Sequence, residues 1–459
     1  MQDRWRSHPH PRLPLLYPVC VCQGLDESGG RRTRGGNLTQ GAAVSLIATE
    51  VSQKYNGCGT GGSMRTVRSA ALASFLWAVI AFGQGGQMGQ AGESVNRFFC
   101  AILPELSPAD GNLFFSPASI WTALTMTSAG AAGETEAQMR RVLSLPSEDI
   151  HRQAGRLLSD LNARGQRGNY ELSVANSLWP QKGYPFLPAF FSLVKESYGA
   201  RLYEVDYVAD AEGARGQINR WVEKETREKI RDIVPQGAVD RMTRLVLANA
   251  IYFKGKWQEQ FKKEDTRDDL FTKADGKKVS CRMMHRKGSV GYLKGDNFSG
   301  VEMDYAGGDI SMLILLPDRH DGLRELEKKL TPENLTGWTR RMRRQEVVLF
   351  VPRFSITSPF DLGSVLAKSG MKDAFDPQAA DFSRMDGKRD LFISKVLHKA
   401  FVDVNEEGTE AAAATTVIVA VTAMPAEPVV FRADHPFFFI LRDRATGTVL
   451  FAGRVSEPK

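Results

Sequence analysis

From about Ser94 onward the chain switches between two spacings of apolar residues. Ile218, Trp221, Val222, Thr226 and Ile230 recur at three- and four-residue steps, which predicts a helix with one buried stripe over 218–230. Other apolar residues come in short continuous runs. Leu245 to Phe253 ends at Lys254 and Gly255, and Ile310 to Leu316 stops at Pro317 and Asp318. Each reads as a strand buried on both faces. Glu346 to Val351 and the chain from Phe431 onward read as extended. The run Phe437 to Leu441 follows Pro436, and Val449 to Phe451 follows a Thr446-Gly447 turn, which predicts a C-terminal hairpin of core strands.

Helical spacing dominates early and strand spacing late, which favours an α+β fold over a regular βαβ alternation. No repeat of 20–50 residues is visible, which argues against a solenoid or propeller. No linker interrupts residues 94–457, so one large domain is expected. No run reaches the roughly 18 apolar residues of a spanning helix, so no membrane span is expected.

Residues 1–63 differ in character. They carry Gly pairs, scattered Pro and Arg and no sustained period. They are expected to be disordered or untranslated, since such a segment buries too little apolar surface to offset its ordering entropy. From Met64 the pattern changes again. Arg65 and Arg68 precede an apolar run from Ala70 to Phe82, and Ala81 and Gly83 are small residues placed for cleavage. Residues 64–83 therefore read as a secretory signal peptide, with an extracellular product. The other reading is a buried or amphipathic first helix, with a cytoplasmic product.

The net charge of +7 on 459 residues gives little indication of a nucleic-acid partner. Residues 1–63 hold seven Lys/Arg against four acids, and Arg65 and Arg68 add two more, so the remainder carries only +2. One local cluster stands out, Arg340, Arg341, Arg343 and Arg344, as a solvated face or a polyanion site. Of the five cysteines only Cys100 and Cys281 lie beyond residue 63, so no disulfide framework supports the domain. Cys100 follows Phe98 and Phe99 and reads as a buried, inert thiol. The seven histidines show no metal-ligand spacing, so no metal and no cofactor is expected. No GxSxG, P-loop or zinc motif is present, so nothing points to an enzyme.

Residues 404–424 carry the functional signal. Gly408 permits a backbone pivot that other residues resist. From Ala411 to Met424 there is no Gly, Pro or charge. As a strand, Thr409, Ala411, Ala413, Thr415, Val417, Val419 and Val421 share one face, all small or β-branched and fit for burial. Glu410, Ala412, Ala414, Thr416, Ile418 and Ala420 share the other. The segment could enter the middle of a sheet without steric or polar penalty. Taken alone, it also suits a plain core strand or an alanine-rich helix.

Its surroundings resemble the serpin family over roughly residues 93–457. Five ordered motifs carry the resemblance. The first is 112–120, with Asn112, Ser116, Pro117, Ser119 and Ile120, continuing through Gly130, Ala131, Gly133 and Thr135 to Gln138 and Met139. The second is Ile218, Asn219, Trp221 and Val222 through Thr226, Lys229 and Ile230, and the third is 247–257, with Leu247, Asn249, Phe253, Gly255 and Trp257. The most specific is His398, Lys399 and Ala400 followed by Asn405, Glu407, Gly408, Thr409, Glu410 and Ala411. Asp434 to Phe437 and Leu450 to Val455 close the chain.

The resemblance implies an α+β fold of three sheets and eight to nine helices, with an exposed reactive loop. It implies a suicide-substrate inhibitor that a serine protease attacks, forming a covalent acyl complex. The freed loop then inserts as a new central strand, a case of stored-strain release. The hinge would be Glu407, Gly408, Thr409, Glu410, Ala411, Ala412, Ala413, Ala414 and Thr415. Ser116, Ser119, Asn249 and His398 would form a polar network under the closed sheet, with Trp257 at the top of its opening. Each also suits an ordinary core role. A monomer, no cofactor and no nucleic-acid partner are implied.

Two counts place the attacked bond differently. Counting forward from Gly408 gives Thr422–Ala423, and counting back from Phe431 gives Ala423–Met424. Either puts a small residue on the acyl side, suited to the shallow pocket of an elastase-like or subtilisin-like protease and not to a trypsin-like one. A non-inhibitory serpin is the alternative, but residues 409–415 lack the bulky, charged or proline residues that often mark such proteins.

Overall fold

The computed structural model describes residues 89–106, 111–146, 149–165, 167, 170–409 and 428–459. Residues 1–63 and the Met64 segment lie outside the described residues. So do Glu410, Ala411, Ala412, Ala413, Ala414 and Thr415 of the hinge, and Thr422, Ala423 and Met424 at the attacked bond.

Helices come first: α1 (Gln90–Leu106), then β1 (Leu113–Phe115), α2 (Pro117–Ser128), α3 (Gly133–Val142) and α4 (Ile150–Gly165). The middle holds β2 (Tyr170–Pro180), α5 (Pro188–Tyr198), β3 (Arg201–Leu202), α6 (Tyr207–Glu225) and β4 (Leu245–Lys256). A strand-rich part follows: β5 (Arg267–Thr272), β6 (Lys278–Gly295), β7 (Phe298–Asp304) and β8 (Ile310–Pro317). After α7 (Leu323–Lys328) and α8 (Pro332–Arg341) come β9 (Arg343–Pro352), β10 (Phe354–Asp361), α9 (Gly363–Lys368) and α10 (Ser383–Asp386). The chain ends with β11 (Leu397–Asn405), β12 (Gly408–Thr409), β13 (Val429–Arg432), β14 (Phe437–Asp443) and β15 (Val449–Val455).

The strands form a six-stranded sheet in the order β10-β11-β12-β4-β2-β3 and a nine-stranded sheet in the order β1-β15-β14-β8-β7-β6-β9-β13, with β5 on β6. The 18-residue β6 belongs to both halves of the larger sheet. Its first part pairs with β5 and its last part with β7, so two of the three expected sheets run continuously through it. The hairpin expected at the C-terminus is β14–β15, turned at Gly447 with φ +68°. All eight residues of β8 are buried, as its unbroken apolar run requires. Phe114 of β1 stacks between Phe439 and Phe451 at 5.8 and 5.4 Å, fixing the first strand on the last hairpin.

Two sequence boundaries need correction. The helix expected to reach Ile230 stops at Glu225. Thr226 turns its hydroxyl back to the Val222 carbonyl at 2.8 Å and receives the Ile230 N–H at 3.2 Å. Arg227 and Glu228 then adopt left-handed φ of 52° and 64°, which ends the helix while Ile230 stays buried. The strand expected to end at Lys254 and Gly255 runs on to Lys256. Gly255 belongs in it because a Cβ there would lie 2.8 Å from the Tyr305 ring.

Candidate functional site

The site lies in the six-stranded sheet, where β12 separates β11 from β4. Thr409 pairs with Val404 on one side and Gly255 on the other; Gly408 pairs with Asn405 and Lys256. Two residues thus make the start of an antiparallel central strand. Among the described residues no ladder joins β11 directly to β4. A small cavity of about 20 Å³ lies beside Thr409. It is lined by Ile251 and Phe253 of β4, Phe401 and Val402 of β11, and Thr226 and Ile230 after α6.

The backbone at this point admits only glycine. Gly408 has φ +148°, and a Cβ on it would stand 2.0 Å from the Gly255 carbonyl oxygen. Around it the hinge turn is held by name. Trp257 donates its backbone N–H to the Glu407 carbonyl at 2.9 Å and its indole N–H to Asn405 at 3.0 Å. Glu407 and Glu406 are both buried, paired with Lys263 at 2.5 Å and Arg353 at 3.7 Å. Thr409 is 3% exposed, and its hydroxyl lies 2.8 Å from that of Tyr305. Tyr305 in turn stacks on Trp257.

Under the sheet the four polar residues named from the sequence meet. Ser116 precedes Pro117, a pairing that starts a helix well: its hydroxyl accepts the Ser119 N–H at 3.1 Å and caps α2. The same hydroxyl donates to the Leu450 carbonyl at 2.6 Å. The Ser116 N–H donates to Nε2 of His398 at 3.0 Å, and Ser119 donates to Oδ1 of Asn249. Asn249 Nδ2 donates to Asn176 at 2.7 Å, and Asn176 to the Tyr198 carbonyl at 3.2 Å. His398 therefore accepts through an unprotonated nitrogen. Burial agrees, pushing its pKa down to about 3. The expectation was of a network beneath a closed sheet. Among the described residues no ladder joins the strands of Asn249 and His398 directly, and the two are linked through Ser116 and Ser119 at the start of α2.

Asn176, Tyr305, Arg353, Lys263 and Glu406 were missed from the sequence. Asn176 stands in the buried phase of β2 with Leu172 and Val174, and that misplaced amide was a readable signal. Tyr305 and Arg353 gave no signal, because they reach the hinge only through the fold. The arginine cluster is divided. Arg344 pairs with Asp304 at 2.6 Å, while Arg340, Arg341 and Arg343 are exposed at the end of α8 and the start of β9. Burial pushes the Cys100 thiol up to about 12 and Cys281 up to about 11, so both are poor nucleophiles. Among the described residues no cluster of acidic, His or Cys side chains is placed to hold a metal, and no helix is long and apolar enough to cross a membrane.

A family model described as serpin (serine protease inhibitor) matches residues 93–458. The chain belongs to the serpin family. The family is described by inhibition of serine proteases and not by catalysis. Among relatives, leukocyte elastase inhibitor of Sus scrofa is 46% identical over 366 residues, covering 78% of this serpin and 95% of that protein. The Homo sapiens protein of the same name is 43% identical over 366 residues, with the same coverage. Uncleaved ovalbumin matches with a TM-score of 0.71 at 32% identity, covering 81% of this serpin and all of that chain. Cleaved Serpin 42Da matches with a TM-score of 0.73 at 33% identity, covering 81% and 99%.

Proposed function

We propose that this serpin traps elastase-like or subtilisin-like serine proteases as a suicide substrate, by taking residues 409–421 into the gap between β4 and β11. The observation that carries the reading is β12. The first two residues of the would-be strand are laddered to both neighbours, and Thr409 is buried as the first of the inward set.

The chemistry follows from the race that this geometry sets up. The protease serine attacks the carbonyl of Thr422 or Ala423. The peptide C–N bond breaks, and the new amine leaves with a proton from the protease's acid–base residue, so an ester remains. Water would complete hydrolysis and release the enzyme. Insertion instead carries the tethered protease away and distorts its active site before water acts. One serpin molecule then holds one protease covalently, with no cofactor, and acts as a monomer.

The ladder also says where the loop would arrive. Gly408 faces Lys256, Thr409 faces Gly255 on β4 and Val404 on β11, and antiparallel partners step back one residue for each step forward. Continued unbroken, that register brings Thr415 opposite both Asn249 and His398. The polar network would then receive the one hydroxyl that insertion delivers at its level.

The small residues at both candidate bonds favour a shallow apolar pocket on the protease, and the elastase-inhibitor names of the relatives agree with that class. Secretion through the segment from Met64 belongs to the same proposal and is tested by sequencing the mature N-terminus. Target class is tested by incubating the serpin with elastase, subtilisin, chymotrypsin and trypsin and measuring residual activity on small substrates. Stoichiometric loss of elastase or subtilisin activity with trypsin spared is expected. Full activity across the panel would favour the non-inhibitory alternative.

A further inference from the structure

We infer that Tyr305 is a positioning residue for loop insertion: its buried hydroxyl is a seat for the Thr409 hydroxyl, and the filled seat holds the hinge in the sheet, ready for the rest of the loop to follow. The inference rests on the inhibitory reading above and adds a residue that neither the sequence nor that reading had singled out.

Tyr305 is fully buried. Its ring is held on several sides. It stacks on Trp257 with centroids 4.5 Å apart and planes 20° apart, and meets Phe253 edge-on at 4.8 Å and 82°. Gly255 supplies the remaining room, since a Cβ there would come within 2.8 Å of the ring. The backbone is fixed too, through the Tyr305 N–H to the Ile310 carbonyl at 3.0 Å and a bridge to Trp257. The phenol oxygen therefore points to one place. A hydroxyl in an apolar cage carries a desolvation cost until it finds a partner. The partner here is Thr409 Oγ1 at 2.8 Å.

Two further features favour a seat over an incidental contact. Burial pushes the phenol well above its ordinary range, so it keeps its proton and can donate at any working pH. Thr409 is the only hinge residue whose side chain reaches this oxygen while its backbone lies in both ladders, among the described residues. The hydroxyl pair is already made in the uncut chain, with Thr409 between β4 and β11. It thus keeps the hinge seated where insertion must start, ahead of the apolar residues that follow.

The test is a double-mutant cycle with Tyr305→Phe, Thr409→Val and the pair together. Each protein is mixed with an elastase-like protease, and the ratio of cut, released serpin to covalently trapped serpin is measured. Thermal denaturation of each uncut protein is measured alongside. Each single variant strands one buried hydroxyl, so its ratio should rise about fivefold or more. The double variant strands none and should lie well below the product of the two effects. The rate of loop cutting should not change. A Tyr305→Phe ratio equal to wild type, or effects that simply multiply, would overturn the inference, as would a lowered denaturation midpoint with no change in the ratio. If wild type traps no protease, it is the inhibitory reading that fails. The seat is then judged on the uncut proteins alone: non-additive losses of stability support it and additive losses overturn it.

Discussion

A Cβ on Gly408 would stand 2.0 Å from the carbonyl oxygen of Gly255, so the strand opposite the hinge passes where a side chain would have to be. Gly408 pairs with Lys256 and Thr409 with Gly255, so the two glycines lie diagonally across adjacent strands, and Thr409 reaches Tyr305. Gly408→Ala is expected to strain a φ of +148° and to push β12 away from β4, at a cost of about 1–3 kcal/mol. The ratio of cut to trapped serpin should rise at least fivefold on a denaturing gel, on the order of that cost. An unchanged ratio would show that β12 is not on the path of insertion.

Thr409→Arg should turn the inhibitor into a substrate. Thr409 is 3% exposed and pairs on both sides, so a guanidinium there would be buried without a carboxylate. It would hold β12 out of the sheet already in the uncut chain, and insertion would carry that burden while cutting at Thr422 or Ala423 would not. With an elastase-like protease, active enzyme and cleaved serpin should accumulate where the wild type gives a complex. Efficient complex formation by the variant would remove Thr409 from the hinge.

Cutting the loop should raise thermal stability. A non-target protease that nicks the loop frees residues 409–421 to complete the strand begun by β12. The melting temperature should rise by about 10 °C or more if the strand adds on the order of 5 kcal/mol or more. Continued unbroken after cutting, the register of Gly408 and Thr409 would bring Thr415 between Asn249 and His398, so Thr415→Val should reduce the rise while leaving the uncut protein unaltered. No rise on nicking would mean that no insertion occurs, and an undiminished rise in the variant would put Thr415 elsewhere.

Acid should weaken the network. His398 is held neutral by burial, with its pKa near 3 against an ordinary 6.5, while Ser116 donates to its Nε2 and the Phe360 ring stacks on it. The unfolded chain takes up a proton below about 6.5 and the folded chain does not until about 3, so stability present at neutral pH is lost as pH falls across that window. His151, pushed down to about 4, acts in the same direction. Replacing His398 by Gln should flatten the fall in melting temperature between pH 7 and pH 4. A wild-type curve already flat over that range would contradict the assignment.

How much of this was legible in the sequence depends on the range of each interaction. The buried run of β8 and the C-terminal hairpin are local, and Ile310 to Leu316 and Gly447 announce them. The end of α6 was not legible, because Thr226 folds back through its own hydroxyl and the apolar spacing continues to Ile230 beyond the helix. The hinge was readable as Gly408 followed by small residues. Its receptor was not: Tyr305 lies 104 positions away from Thr409 and is placed by a β-bridge to Trp257. Ser116, Ser119, Asn249 and His398 came from motifs, and their links through α2 needed the fold.

The account stands most directly on a covalent product. Wild-type serpin mixed with a slight deficit of elastase-like protease should give a band at the summed mass that survives boiling in detergent, with the protease activity gone. Cleaved serpin beside fully active protease, with no such band from any enzyme in a broad panel, would contradict insertion as the function of residues 409–421.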